Sequence, residues 1–171
     1  MAESGYLMSL CDWGMRQDPM IDGEDIPAPG FTMSPWSPAG TATIHAVGGD
    51  MRSALEVGLR AVLALAVTSA PAPLDTGRSA PIRGEGDDLG SLFTDLVEDL
   101  LGQIEFFGGG LHDVALDGVL RREDGGYVGW GYATGSLEAA SPDEVPRLLG
   151  VPTVYETGIQ GVIVQATLQR P

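Results

Sequence analysis

The sequence predicts an α+β domain whose mostly antiparallel or mixed sheet is covered by two helices. Two amphipathic helical patterns fall within the first two thirds of the chain, at 51–66 and 89–104. Everything after Gly108-Gly109-Gly110 reads as strands joined by turns. Clustered helices and runs of strands, with no regular βαβ alternation, define that class.

The chain has 171 residues, 43% of them hydrophobic, which suits one domain with a sizeable core. Its first forty residues carry Pro19, Pro27, Pro29, Pro35 and Pro38, a composition that favours extended or looped chain. We treat 1–40 as an N-terminal extension and 41–171 as the domain. Trp13, Phe31, Met33 and Trp36 give the extension enough apolar surface to pack on that domain.

From Thr41 to Val47 the side chains alternate, with Ala42, Ile44 and Ala46 on one face, as in a half-buried strand. Gly48-Gly49 turns the chain and Asp50 caps a helix whose apolar positions are Met51, Leu55, Leu59, Val62, Leu63 and Ala66, ending before Pro71. A short strand is expected at Ile82 to Glu85. Asp87 or Asp88 then caps a second helix with the stripe Leu89, Leu92, Phe93, Leu96, Val97, Leu100, Leu101 and Ile104. Ser91, Thr94, Asp95, Glu98, Asp99 and Gln103 form its opposite, polar face.

Leu111 to Arg121 and Tyr127 to Thr134 flank Asp124-Gly125, where glycine supplies the positive φ of a hairpin turn. Two further strands, Val151 to Thr157 and Gly161 to Gln169, are separated by Gly158.

Charge and composition exclude several functions. Acidic residues outnumber basic ones 24 to 9, for a net charge of −15, so direct nucleic-acid binding is not expected. There is no lysine, which rules out Schiff-base chemistry and lysine-assisted phosphate binding. The single cysteine, Cys11, can close no internal disulfide and its neighbour Asp12 works against a reactive thiolate; a reducing cytoplasm suits the chain. No signal peptide is evident, and the longest apolar run, Ala61 to Val67, is far short of the roughly 20 residues a bilayer requires. A soluble, cytoplasmic protein without membrane contact is expected.

Candidate chemistry is sparse. Asp18 to Asp25 gathers acids without EF-hand spacing and reads as a solvated loop. His112 and Asp113, adjacent on a strand, point to opposite faces. His45 is closer to a carboxylate, Asp50, but a lone histidine on a strand is more often structural than catalytic. Gly125 to Gly135 interleaves Tyr127, Trp130 and Tyr132 and opens no helix, so it reads as a glycine-rich strand and not a phosphate cradle. No nucleophile, base and oxyanion site can be assembled, so no enzymatic activity and no catalytic residue is expected.

Gly86-Asp87-Asp88-Leu89-Gly90-Ser91-Leu92 running into Leu96, Leu100 and Leu101, followed by Gly129-Trp130-Gly131, resembles archease. So do Ala46-Val47-Gly48 opening a helix through Ala54, Leu55 and Glu56, and Val154-Tyr155 before the final strand. The resemblance spans about Thr41 to Gln169 and implies a small α+β domain that binds calcium and serves as activator or chaperone of an RNA-splicing ligase in tRNA and RNA processing. It also implies oxygen ligands from a His-Thr-Ala-Asp segment on the first strand, the first helix entry and an aspartate near the C-terminus.

Here Pro38, Ala39, Gly40 and Thr41 stand at His-Thr-Ala-Asp, and Gln169 stands at the C-terminal aspartate. Gly49 falls at the helix entry with Asp50 one step later, and Val151 and Pro152 occupy the stretch of the family's functional lysine. Both anchoring carboxylates are therefore replaced and no metal or cofactor is expected, unless the first strand aligns differently and recruits Asp22, Glu24 and Asp25. Two functions follow: a metal-independent, non-enzymatic accessory protein with a protein partner, an RNA-splicing ligase; or a diverged binding module unrelated to RNA ligation.

Overall fold

A computed structural model of the chain describes residues 30–67, 78–107, 110–135, 145–157 and 161–171. The order is β1 (Gly30–Met33), β2 (Thr41–Gly48), α1 (Met51–Ala66), β3 (Arg78–Gly86), α2 (Leu89–Phe107), β4 (Leu111–Arg121), β5 (Tyr127–Gly135), β6 (Arg147–Leu148), β7 (Thr153–Thr157) and β8 (Gly161–Gln169). The fold is α+β with antiparallel pairing throughout, as the sequence predicts.

The strands form two sheets where one was expected. β1, β2 and β8 lie side by side, and both β6 and β7 pair with the far edge of β8; β3, β5 and β4 make a separate three-stranded sheet. The helices form a layer between them: α1 packs on β2 and β8 and also on β4, while α2 packs on β3 and β5 and also on β6 and β7. A helix between two sheets needs apolar residues on both sides, which explains why Ala54, Leu55, Leu59, Ala61, Val62, Leu63, Leu65 and Ala66 of α1 are all buried. Among the described residues no polar or charged side chain is buried.

The extension differs in part from expectation. Gly30–Met33 pairs antiparallel with β2 and Trp36 packs against the core, but Phe31 and Met33 remain 38% and 43% exposed; Trp13 lies outside the described residues. β3 runs over nine residues instead of four. Pro81 does not interrupt it, because β3 is an edge strand and the neighbouring outward amides, Arg83 and Glu85, show that Pro81 lacks its N–H on the outer side, away from the ladder. At the hairpin, Gly125 has φ +93°, and Arg122 N–H donates to Gly126 O at 2.6 Å.

Both edges of the three-stranded sheet are closed by helix side chains. Along β3, Asp95 Oδ2 accepts from Glu85 N at 2.8 Å, Asp99 Oδ2 accepts from Arg83 N at 2.8 Å, and Gln103 Nε2 donates to Pro81 O at 3.3 Å. Along β4, Arg52 Nη1 donates to Leu116 O at 3.0 Å, Glu56 Oε2 accepts from Leu116 N at 2.8 Å, and Arg60 Nε donates to Val114 O at 3.2 Å. Along β3 the spacing explains the match: four helix residues rise about 6.0 Å and two strand residues about 6.6 Å, so an i, i+4, i+8 series follows alternate residues of the edge. Along β4, by contrast, Arg52 and Glu56 share Leu116 and Arg60 reaches Val114. Exposed strand edges template aggregation, and these side chains occupy them.

Asp99→Ala should therefore destabilise the protein by about 1 kcal/mol, while Asp99→Asn, which loses the same charge but keeps an acceptor oxygen, should lose less. Urea unfolding of the two variants checks this. Equal losses would mean that charge, and not the edge bond, sets the effect.

Candidate functional site

β2 and β8 bring Thr41 and Gln169 directly opposite each other in the five-stranded sheet. The sequence placed these residues at the two anchoring aspartates of the family, and they are cross-strand partners although 128 positions apart in the chain. Both lie on the strand face opposite buried Ala42 and Leu168. On the other side of β8, Arg147 pairs with Gln169, Leu149 N–H donates to Thr167 O at 2.8 Å, and Thr153 pairs with Gln165. Val151 and Pro152 thus border the same end of the sheet.

The surroundings of Thr41 are neutral or cationic. Thr41 Oγ1 and Ser37 Oγ are hydrogen-bonded at 2.8 Å, and Thr41 N–H also donates to Ser37 Oγ at 3.1 Å. Arg170 N–H donates to Gly40 O at 2.8 Å, and its guanidinium lies 4.7 Å from the centre of the Trp36 ring. Calcium takes six to eight oxygen ligands with carboxylates among them. A hydroxyl shared with Ser37 and one carboxamide do not make that donor set. The residues present do not fit the family's metal.

Asp50 does not extend the site. Thr41 starts β2 and Asp50 follows its end, so the two are separated by the length of an eight-residue strand, about 25 Å. A cation shared by Thr41, Asp50 and Gln169 is excluded by that distance. Asp50 is the N-cap of α1: its Oδ1 accepts from Ser53 N at 2.8 Å, and Ser53 Oγ accepts from Asp50 N at 3.2 Å. The Ser53 backbone amide holds its carboxyl below the usual aspartate range. Asp88, and not Asp87, caps α2 in the same way, accepting from Ser91 N at 2.7 Å with its pKa lowered by that bond.

A lowered folded-state pKa contributes stability that is present above the unfolded value near 3.8 and lost as pH falls through the folded value. Asp50→Ala should cost about 1 kcal/mol at neutral pH. Thermal unfolding of parent and variant from pH 7 to pH 2 should show the gap narrowing only below pH 4. A gap that stayed constant to pH 2 would contradict the cap as its source.

The remaining candidates have structural roles or lie elsewhere. His45 sits mid-strand between Thr32 and Gln165 and shares no bond with Asp50. A register shift between Leu111 and Asp113 makes His112 the extra residue of a bulge, while Asp113 Oδ1 accepts from Arg60 Nε at 3.0 Å, so the two do not act as a pair. Arg122 is taken up by Glu85 at 2.7 Å and Asp124 at 2.8 Å. An open groove of about 480 Å³ between α2 and β3 is lined by Arg83, Glu85, Asp95, Glu98 and Asp99, yet Asp95 and Asp99 are committed to the β3 edge. Cys11 and the Asp18 to Asp25 loop lie outside the described residues. No group of three or more His, Cys, Asp or Glu among the described residues is placed to hold a metal ion.

What these observations define is an archease-like α+β fold, with two antiparallel sheets around a pair of helices. The solution structure of protein 1598 of Methanobacterium thermoautotrophicum shares this fold at a TM-score of 0.58 and 16% identity, over 82% of this chain and 98% of that one. No family model and no curated protein matches the chain. The likeness is one of architecture. No helix among the described residues is long and apolar enough to cross a membrane.

Proposed function

We propose that this chain is an archease-like, non-enzymatic accessory protein that acts on an RNA-splicing ligase through protein contacts, without a bound metal. The observation that supports this is the Thr41–Gln169 pair. β2 and β8 set opposite each other the two positions that the resemblance assigns to the anchoring aspartates, and both carry neutral side chains. The absence of catalysis is supported by how the acids are used: Asp50, Asp88, Asp95, Asp99 and Glu56 each accept from a backbone amide. These five carboxylates are committed to helix caps and strand edges.

The test is guanylylation of a purified RNA-splicing ligase from the same source, with and without the chain, in calcium and in chelator. Stimulation that is equal in both supports the proposal. Neither stimulation nor binding would favour the alternative, a binding module outside RNA ligation. Stimulation only in calcium would overturn the metal-free part.

A further inference from the structure

The three-stranded sheet has one face on the helices and one turned away from them. Alternation along β5 buries Gly129, Gly131 and Ala133 and leaves Trp130 and Tyr132 on the outer face, 36% and 48% exposed. Register sets Arg83 and Pro81 beside them on β3, and Gly118 and Ala115 on β4. Leu120, opposite Val128, extends the patch at 58% exposure. The Trp130 ring lies over Gly118: a Cβ there would come within 2.6 Å of Cζ2 and 2.8 Å of Cη2. Only glycine lets the indole lie down on the sheet at this point.

The charges beside this platform are mixed, but Arg83, opposite Trp130, is already paired with Glu85 at 2.8 Å. A second register shift, between Leu116 and Gly118, makes Asp117 the extra residue of a bulge next to the indole. Asp117 is exposed and has no ion pair or hydrogen bond among the described residues. Glu85, by contrast, is shared between Arg83 and Arg122. The chain as a whole carries −15.

We propose that this outer face, centred on Trp130 and Tyr132, receives a short arginine-bearing segment of a partner protein. A guanidinium stacks on the Trp130 indole and Asp117 serves as its counter-ion. Arginine fits better than lysine because its planar, weakly hydrated cation both stacks on an indole and pairs with a carboxylate. Size selects a peptide segment over a second copy: three partly exposed side chains fall well short of the roughly 800 Å² that each partner of a standard interface buries. Two copies at −15 would also repel each other, and a phosphate backbone would be repelled by one. The platform is on the opposite sheet from Thr41 and Gln169, so it stands whether or not the partner is a ligase.

The test uses the full chain and peptides of alternating glycine with arginine, lysine or glutamate, followed by NMR of the indole N–H signals and by calorimetry. The arginine peptide should shift the Trp130 indole signal, leave that of Trp36 in place and bind several-fold more tightly than the lysine peptide; the glutamate peptide should not bind. Trp130→Ala should weaken the arginine peptide about tenfold, and Asp117→Asn a few-fold. Should Trp130→Ala fail to fold, the parent's own signals and Tyr132→Ala carry the test. Equal affinity for arginine and lysine, or binding that leaves Trp130 unshifted, would overturn the proposal in favour of diffuse charge attraction. A concentration-dependent dimer in sedimentation that Trp130→Ala abolishes would assign the face to a second copy and equally overturn it.

Discussion

Leu96→Asp should destabilise the protein by on the order of 4 kcal/mol, enough to remove much of the stability of a typical domain. Leu96 is 0% exposed in the middle of α2 and sits on the backbones of β3 and β5. A Cβ at Gly84 would come within 2.9 Å of Leu96 Cγ, and one at Gly129 within 3.4 Å of its Cδ1. That close approach leaves no path by which an aspartate there could reach water. The carboxylate must be desolvated or take up a proton, and among the described residues the core has no polar side chain to receive it. Leu96→Ala separates the cavity from the charge, with an expected loss of about 3 kcal/mol. Urea unfolding at pH 7 and pH 4.5 measures both variants. The aspartate variant should recover part of its deficit at the lower pH, because a buried carboxyl is more easily accommodated when neutral. A parent-like unfolding curve would mean that α2 turns its apolar face outward.

The helices were legible because their signal is local. The stripe from Leu92 to Ile104 is buried where the 3.6-residue period puts it, and only Leu89 at its start is partly exposed. The strands' faces were equally legible, since alternation assigns Ala42, Ile44 and Ala46 to the core without reference to a partner. Which strand pairs with which was not. β2 finds β8 across most of the chain, and nothing in a period of two names its neighbour, so one sheet was expected where two form. The polar helix faces show the same limit. Arg52, Glu56 and Arg60, like Asp95, Asp99 and Gln103, carry the spacing that follows an edge strand, but that series is indistinguishable from a solvated face until an edge is known to lie beside it. At the candidate site, Thr41 and Gln169 came from the resemblance. Trp36 was legible as an apolar residue that packs on the domain but not as the ring over which Arg170 lies, and the Ser37 hydroxyl that engages Thr41 had no sequence signal. Gly118 beneath Trp130 carries such a signal only in hindsight, as a glycine inside a strand pattern.

Calcium should leave the melting temperature of the parent unchanged and raise that of the Thr41→Asp, Gln169→Asp double variant. A ligand stabilises a fold only by occupying the native state, and the parent offers calcium a shared hydroxyl and a carboxamide at this point. In the double variant two carboxylates would face each other across β2 and β8, with Cβ atoms about 5 Å apart, close enough to share one cation. Without calcium the same proximity is repulsive, so in chelator the double variant should melt below the parent. At ten times its dissociation constant, calcium would then return about 1.4 kcal/mol, or roughly 4 °C at this chain length. Each single variant, with one carboxylate in place of two, should respond far less. Thermal unfolding in chelator and along a calcium series, for parent, singles and double, reads all of this at once. A double variant indifferent to calcium would show that pairing in register is insufficient and that the missing ligands lie beyond β2 and β8. A parent stabilised by calcium would move the ligands elsewhere, to Asp22, Glu24 and Asp25 first, since Asp50 is held by Ser53 at the far end of the strand.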